Sequence, residues 1–509
     1  MPITVIRNAD WIVAFDEATG GHVYMRGGDV AFDGSKLIHV GGPYEGEAAK
    51  VIDGAGRMVM PGLVNIHSHP SSEAMTKGWN DELGSPKLYG SSLYEFMPLF
   101  RCDADGVPAC ATVCYSELLL SGVTTLVDLS VAWDGWLDHF AASGLRGVVA
   151  PMYRSARWFT RNGHVTEYEF DAKAGEKAMA EAMTLLDKAA KHPSRRLSGM
   201  VSPSQIDTCT PELIKDSFAE AKRRRLPFQI HAAQSVVEFH EITRRHGMTP
   251  VEWLLSLGVL SPRSIIGHGI FLDSHTSAHW PATGDLETLA GTGTTVAHCP
   301  VVFHRRGIAL QTFGRYVAAG VAMGIGTDTY PHNMLEEMRA VAITARLMAE
   351  DVYDLRTADV FEAATLGGAR ALGRSDIGRL SVGAKADLVL VDVTHPNMRP
   401  VRDPMRSLIY AAADRAVKTV IVDGKTVVEN GRVLTMDHEK AAADLEAAQR
   451  RAEPKVAALD WAGRDHLTIS PLMLPVRVLP KAKAKAKGKS KDKAVKSGKP
   501  AATPAKAKT

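Results

Sequence analysis

Pro61-Gly62-Leu63-Val64-Asn65-Ile66-His67-Ser68-His69-Pro70 is the stretch on which the reading of this chain turns. An apolar run leaves a Pro-Gly turn, has the composition of a buried strand and ends in His-x-His. Alternate side chains of a strand share a face, with α-carbons roughly 6–7 Å apart. Two imidazoles so placed can converge on one ion with N–metal bonds of about 2.1 Å. A lone His-x-His more often marks surface or capping histidines. Here other candidate ligands follow along the chain.

Downstream, strand-like and helix-like stretches alternate. Residues 123–128, 147–150, 228–231, 264–268, 294–298 and 323–328 read as strands, and stretches such as 176–191 and 211–225 as helices between them. His231, His268, His298 and Asp328 each end such a strand, at intervals of 37, 30 and 30 residues, one β/α unit per step. A doubly wound sheet does not bring five strand ends around one point, whereas a (β/α)8 barrel gathers them at one face. Upstream, residues 1–60 alternate short β-type runs with Gly-rich turns, and their complement lies far away, at 386–392 and 417–428. There Asp423-Gly424 between two β runs signals a hairpin. The expected fold class is therefore α/β: a TIM-type (β/α)8 barrel at 61–380, with a small β-sandwich domain built from both chain ends, 1–60 plus 381–435.

Composition bounds the rest. The 509 residues are 45% hydrophobic and 23% charged, enough for a large core. The opening Met1-Pro2-Ile3-Thr4-Val5-Ile6-Arg7 lacks a secretory leader's cationic start and apolar block, and no long apolar run suggests a membrane span. Five cysteines without paired metal-site spacing read as reduced thiols, so a cytoplasmic setting is expected. Cys110 and Cys114, one helical turn apart, read as core. Residues 481–509 hold eleven lysines against Asp492, so the chain-wide charge of +3 leaves about −7 for residues 1–480. That tail is expected to be disordered. It could touch nucleic acid non-specifically, but without aromatics for stacking a solubilising appendage is the favoured reading. Residues 436–480 read as a C-terminal helix, 439–451, and its extension, packing on the body or on a neighbouring subunit; a homo-oligomer is expected.

His67-Ser68-His69, His231, Gly267-His268-Gly269, Ala297-His298-Cys299-Pro300 and Gly326-Thr327-Asp328 together resemble the amidohydrolase superfamily. Within it they look most like the cytosine deaminase, guanine deaminase and triazine hydrolase (chlorohydrolase) group, over about residues 3–435. The resemblance implies His67, His69, His231 and Asp328 as metal ligands. It makes His268 a further ligand or a hydrogen-bond partner of the metal-bound water, and turns His298 to the substrate or water. Such a ligand set leaves an open position for water, whose pKa the cation lowers toward about 7. Asp328 can then carry the proton to the leaving nitrogen, and His268 can stabilise the oxyanion. The expected cofactor is one divalent metal ion, zinc ahead of iron, because no lysine stands at a fourth-strand end to suggest a bridged pair.

The departures are informative. The group usually carries His-x-x-Glu on the fifth strand, the glutamate protonating a ring nitrogen; here the run is His231-Ala232-Ala233-Gln234. An amide cannot shuttle a proton at physiological pH. A histidine usual near Gln205 is missing, and Val301–Arg306 replaces an Asn-containing segment. The expected substrate contacts are Gln234, Gln205, Trp79, His304, Arg305 and Tyr330, with His304-Arg305 a candidate for an anionic or carbonyl group. Lys77, Tyr94, Glu95 and His332 lie in the same loops. The expected function is hydrolysis of a non-peptide C–N bond of amide, urea or carbamate type in a small molecule. The alternatives are deamination or dechlorination of an N-heterocycle such as a triazine, purine or pyrimidine, and a non-catalytic barrel with a basic binding tail.

Overall fold

The structure, a computed structural model, describes residues 3–79, 83–282 and 284–478. Residues 1–470 form one compact unit and 471–509 another, whose described part, 471–478, carries no helix or strand. The lysine-rich tail expected at 481–509 lies outside the described residues.

Two parallel sheets make the centre. One runs Leu63–Ser68, Val123–Ser130, Arg146–Tyr153 and Leu197–Gly199, with Ser202–Pro203 continuing along Arg146–Tyr153. The other runs Phe228–Ala232, Ser264–His268, Thr295–His298 and Ala322–Ile325. Isolated parallel bridges link their edges: Ser68 to Asp328 on one side, Val201 to Phe228 and Gln205 to His231 on the other. These strands are buried almost throughout, as parallel strands covered on both faces must be. The covering helices start where the sequence supplies caps. Asp171 accepts from the Ala174 N–H to open Ala172–Ala190, and Thr210 accepts from Leu213, with Pro211 first in Pro211–Arg224. Lys222, Arg223 and Arg224 in the last turn of the second helix complement its dipole.

One expected strand is shorter than its sequence suggests. The run at 323–328 stops at Ile325, because the Thr327 and Asp328 N–H groups both donate to the His67 carbonyl at 2.9 Å. The chain therefore turns across the end of the first central strand, and Asp328 takes a left-handed conformation with φ 55°.

The chain ends meet in two further sheets. Seven strands lie in the order Arg432–Val433, Lys425–Glu429, Val417–Val422, Leu388–Asp392, Arg57–Pro61, Trp11–Asp16, Gly21–Arg26. Four more, Lys36–Gly41, Asp29–Asp33, Ile3–Arg7 and Lys50–Asp53, form a sheet that shares an apolar cluster with them, including Ile6, Ile12, Phe32, Leu37, Leu388 and Ile421. Asp423 and Gly424 have φ 53° and 76°, the two positive values that a two-residue hairpin of type I′ requires. The C-terminal helix, His438–Ala452, packs on the body of its own chain. Its Ala441, Leu445 and Ala448 meet Ala74, Met75, Cys110 and Val113, and Gln449 Nε2 donates to the Met75 and Lys77 carbonyls at 2.9 Å. All five thiols are free. Among the described residues no helix is long and apolar enough to cross a membrane.

A buried ion pair ties centre to periphery. Arg146, on the third central strand, reaches Asp387 at 2.7 and 3.0 Å and Asp423 at 2.9 Å, just where the chain enters the peripheral sheet. The Arg146 and Asp387 side chains are 5% and 1% exposed, so removing one partner strands a charge. Asp387→Ala should cost about 3–5 kcal/mol, read as a lower urea midpoint. The double change Arg146→Met with Asp387→Leu should recover most of that loss.

Candidate active site

At one end of the central sheets three imidazoles present the same nitrogen inward. His67 Nδ1 lies 2.5 Å from Gln229 Oε1, and Gln229 Nε2 donates to the Ile66 carbonyl at 3.0 Å, which fixes the amide's orientation. An oxygen facing Nδ1 requires a proton there, so His67 Nε2 carries the lone pair. His69 Nδ1 donates to the Leu129 carbonyl at 2.7 Å, and His231 Nδ1 to the Ser204 carbonyl at 2.6 Å. Their Nε2 atoms are therefore also lone pairs, and they stand 3.2 Å apart. Two lone pairs at that distance repel unless a cation lies between them. Asp328 Oδ1 completes the cluster, 3.2 Å from His69 Nε2 and 3.5 Å from His67 Nε2. Ligands on a tetrahedral ion with bonds of about 2.1 Å are about 3.4 Å apart. The donor set fits a divalent metal.

His268 joins from the sixth strand. One donor atom from each of His67, His231 and His268 falls within 4.8 Å of the others, as does one from each of His67, His69 and Asp328. Burial holds His231 and His268 well below the ordinary imidazole range, and it lowers His67 as well, so all three are neutral. Burial also opposes charge on His69, but the hydrogen bond and charge of Asp328, with Glu73, raise it. Asp328 is buried too, which alone would lift its pKa; His268, His67 and His69 around the carboxylate hold it well below the usual range.

Two glycines of the motifs make room for this cluster. A Cβ on Gly267 would stand 2.6 Å from His67 Cε1, and one on Gly326 would stand 2.6 Å from both His67 Cβ and its carbonyl oxygen. The loop at 326–328 is latched to the first strand by Asn65 Nδ2, which donates to Thr327 Oγ1 at 2.8 Å. On the fifth strand's exit Ala233 is left-handed (φ 54°), and the buried Glu238 carboxylate accepts from its N–H at 2.6 Å. That turn aims Gln234 into the cavity.

The cavity over the cluster has a volume of about 490 Å³. His69, His231, His268, Asp328, Gln205 and Gln234 line it, joined by Glu73, Ser91, Leu93, Met97, Arg154, Phe303 and Arg306. Gln234 Nε2 is buried without a hydrogen-bond partner. Several expected contacts lie elsewhere. Trp79 packs against Phe100 with ring centroids 4.4 Å apart and planes tilted by 43°, drawn into the apolar packing under the C-terminal segment. His304 turns outward to Thr344 Oγ1 at 3.3 Å, and Arg305 bonds Thr329 Oγ1 at 3.0 Å while lying over the Tyr330 ring at 4.1 Å, so none of the three lines the cavity. His298 is also outside the lining; burial pushes it down to about 3, and its ring lies 5.9 Å from Phe313. Lys77 pairs with Glu117, Glu95 with Arg464 and the Trp461 indole, and Tyr94 with Ser235. His332 is buried beside Ser68.

Sequence reasoning did not single out Gln229, Glu73 or Arg306. Gln229 had a visible signal, an amide inside the otherwise apolar run Phe228-Gln229-Ile230, two residues before His231. Glu73 and Arg306 had none beyond position, since which loop side chain faces inward depends on the path of the loop.

The amidohydrolase family model matches residues 58–427. The chain is 30% identical over 435 residues to a 5-methylthioadenosine/S-adenosylhomocysteine deaminase of Pelotomaculum thermopropionicum, covering 84% of this chain and 94% of the relative. Among solved structures it resembles a triazine hydrolase from Arthrobacter aurescens, with TM-score 0.74, 23% identity and coverage of 88% of this chain and 100% of the other. It also resembles a zinc-bound adenosine deaminase from Xanthomonas campestris, with TM-score 0.75, 24% identity and coverage of 89% and 98%.

Because Gln229 sets the tautomer of His67, replacing it should weaken metal retention while leaving the ligands in place. Gln229→Leu is expected to lower zinc affinity by about 10–100-fold, measured by competition with a chromogenic chelator.

Proposed function

Because the chain belongs to the amidohydrolase family and is an enzyme that hydrolyses carbon–nitrogen bonds other than peptide bonds, we propose that it acts with one zinc ion on an amide, urea or carbamate bond of a small molecule. The observation that carries this reading is the pairing of a convergent His/Asp donor set with Gln234, rather than an acid, on the cavity wall. On this reading the two central sheets close into a (β/α)8 barrel, supported by the bridges at both edges. The sheets drawn from 1–60 and 381–435 form one β-sandwich domain beside it, supported by their shared apolar cluster.

His67, His69, His231 and Asp328 would hold the ion; imidazole and carboxylate donors suit zinc, which the solved adenosine deaminase binds, and they suit iron as well. A bound divalent cation supplies the Lewis acidity that makes water nucleophilic near neutral pH. Asp328, ionised in its imidazole surroundings, accepts a proton from the attacking water at Oδ and returns it to the departing nitrogen. Neutral His268 donates a hydrogen bond to the oxygen that gains charge at the scissile carbon. Gln234 Nε2, a buried donor with no internal partner, holds an acceptor atom of the substrate.

The kinship with deaminases favours a second reading, loss of ammonia from an N-heterocycle. It needs a carboxyl in place of the missing fifth-strand acid, and Glu73 is the one carboxyl besides Asp328 among the described residues lining the cavity. Burial raises its pKa, which favours a protonated form.

A panel assay separates the two. Zinc-loaded protein should hydrolyse members of an amide, urea and carbamate set and release little ammonia from 5'-methylthioadenosine, S-adenosylhomocysteine or a triazine. Ammonia from the ring substrates, increased by Gln234→Glu, would favour the second reading. In either case Asp328→Asn, compared at equal zinc content, should lower kcat by about 10²–10⁴-fold.

A further inference from the structure

The cavity wall contains a guanidinium that no carboxylate among the described residues reaches within 4.0 Å, although Asp328 and Glu73 act on it through charge. Arg306 follows the short helix Pro300–His304 and is half-buried beside Met97 and Phe303. Among the described residues it forms no ion pair within 4.0 Å, and the one hydrogen bond of its guanidinium runs to Met97 Sδ at 3.7 Å. Arginines elsewhere in the fold are treated differently. Arg146 is clamped by Asp387 and Asp423, Arg464 by Asp460 and Glu95, and Arg305, the adjacent residue, is bonded to Thr329 and stacked on Tyr330. Arg154 also reaches the cavity; it is the more exposed of the two, and its guanidinium lies over the Trp158 ring at 5.6 Å. Arg306 has surrendered part of its hydration without a direct ion pair among the described residues, and only the more distant charge of Asp328 and Glu73 offsets that loss, so an anion in direct contact is favoured there.

The chemistry of the rest of the wall narrows what would enter. Gln234 Nε2 is a second donor that makes no hydrogen bond of ordinary geometry among the described residues, although the Glu238 carboxylate is close to the Gln234 side chain, so the cavity offers hydrogen-bond donors at two points and calls for acceptors from one small molecule. A guanidinium presents two parallel N–H groups that match the two oxygens of a carboxylate. Glu73 and Asp328 line the same cavity, so their charge favours no more than a singly charged anion at Arg306.

We propose that the substrate carries a carboxylate, held by Arg306 in a two-point contact, with a neutral acceptor atom of the same molecule at Gln234 Nε2. This rests on the reading of the cavity as the substrate site of a C–N hydrolase. It moves the anion contact expected at His304-Arg305 one residue along the chain, to the side chain that faces inward.

The test uses a matched pair of probes, hippurate and its carboxamide, titrated calorimetrically into zinc-loaded full-length protein. The wild-type protein should bind hippurate about ten-fold more tightly or better, the value of a charge-assisted contact. Arg306→Gln should erase that preference and leave binding of the carboxamide unchanged; Arg306→Lys, keeping charge without the fork, should restore part of it and serves as the reporter should the glutamine variant not fold. Equal or undetectable binding of the two probes by the wild-type protein overturns the proposal. So does a preference that survives both substitutions, because the carboxylate would then be resting on the metal. A preference that depends on Arg306, in protein that cleaves nothing in the substrate panel, overturns only the hydrolase reading.

Discussion

The site depends on one electrostatic constraint: three imidazole nitrogens and a carboxylate oxygen are brought so close together that a shared positive charge relieves their repulsion. Each ring is oriented from behind, by the Gln229 amide, the Leu129 carbonyl and the Ser204 carbonyl, so a neutral ring keeps its one proton on the outward nitrogen. The orienting groups belong to the second, fourth and fifth strand regions of the centre, and the carboxylate follows the eighth strand. Strands that are remote in sequence must therefore be held in register before the cluster exists. A metal held by this cluster would therefore bind only to the assembled sheets.

Several features away from the cluster serve that requirement. Gly267 and Gly326 are small because the His67 ring and backbone occupy the space a side chain would need. The turn that carries Asp328 is stapled to the first strand through the His67 carbonyl and through Asn65 with Thr327. The segment after the first strand, which supplies Glu73, Ser91, Leu93 and Met97 to the cavity, is braced from outside by the C-terminal region. Gln449 grips the Met75 and Lys77 carbonyls, and Arg464 and Trp461 both hold Glu95. The C-terminal extension thus helps shape the cavity wall without reaching the cluster.

The convergence of these side chains was legible because their residues obey rules of strand periodicity and strand ends. His67, His231 and His268 fall in the last two positions of central strands, as does His298, which stays outside the cavity lining, and apolar runs ending in histidine repeat at one β/α unit. The joining of both chain ends was legible from the Asp423-Gly424 turn and its flanking β runs. Gly21–Arg26 and Lys50–Asp53 were not, being peripheral strands of mixed polarity and partial exposure with no alternation to read. The cavity wall was least legible. Arg305 and Arg306 are identical in type and adjacent, and only the turn after Pro300–His304 decides that one stacks on Tyr330 while the other faces the cavity. Trp79 likewise went to apolar packing, because burying an indole against Phe100 outweighs leaving it at a polar mouth.

The most direct measurement is the metal content of the purified chain by elemental analysis, for the wild-type protein and His69→Ala, each incubated with zinc and desalted. The account predicts close to one zinc per wild-type chain and a clear deficit in the variant. Wild-type protein that retains no metal, or that holds two ions per chain, would contradict it.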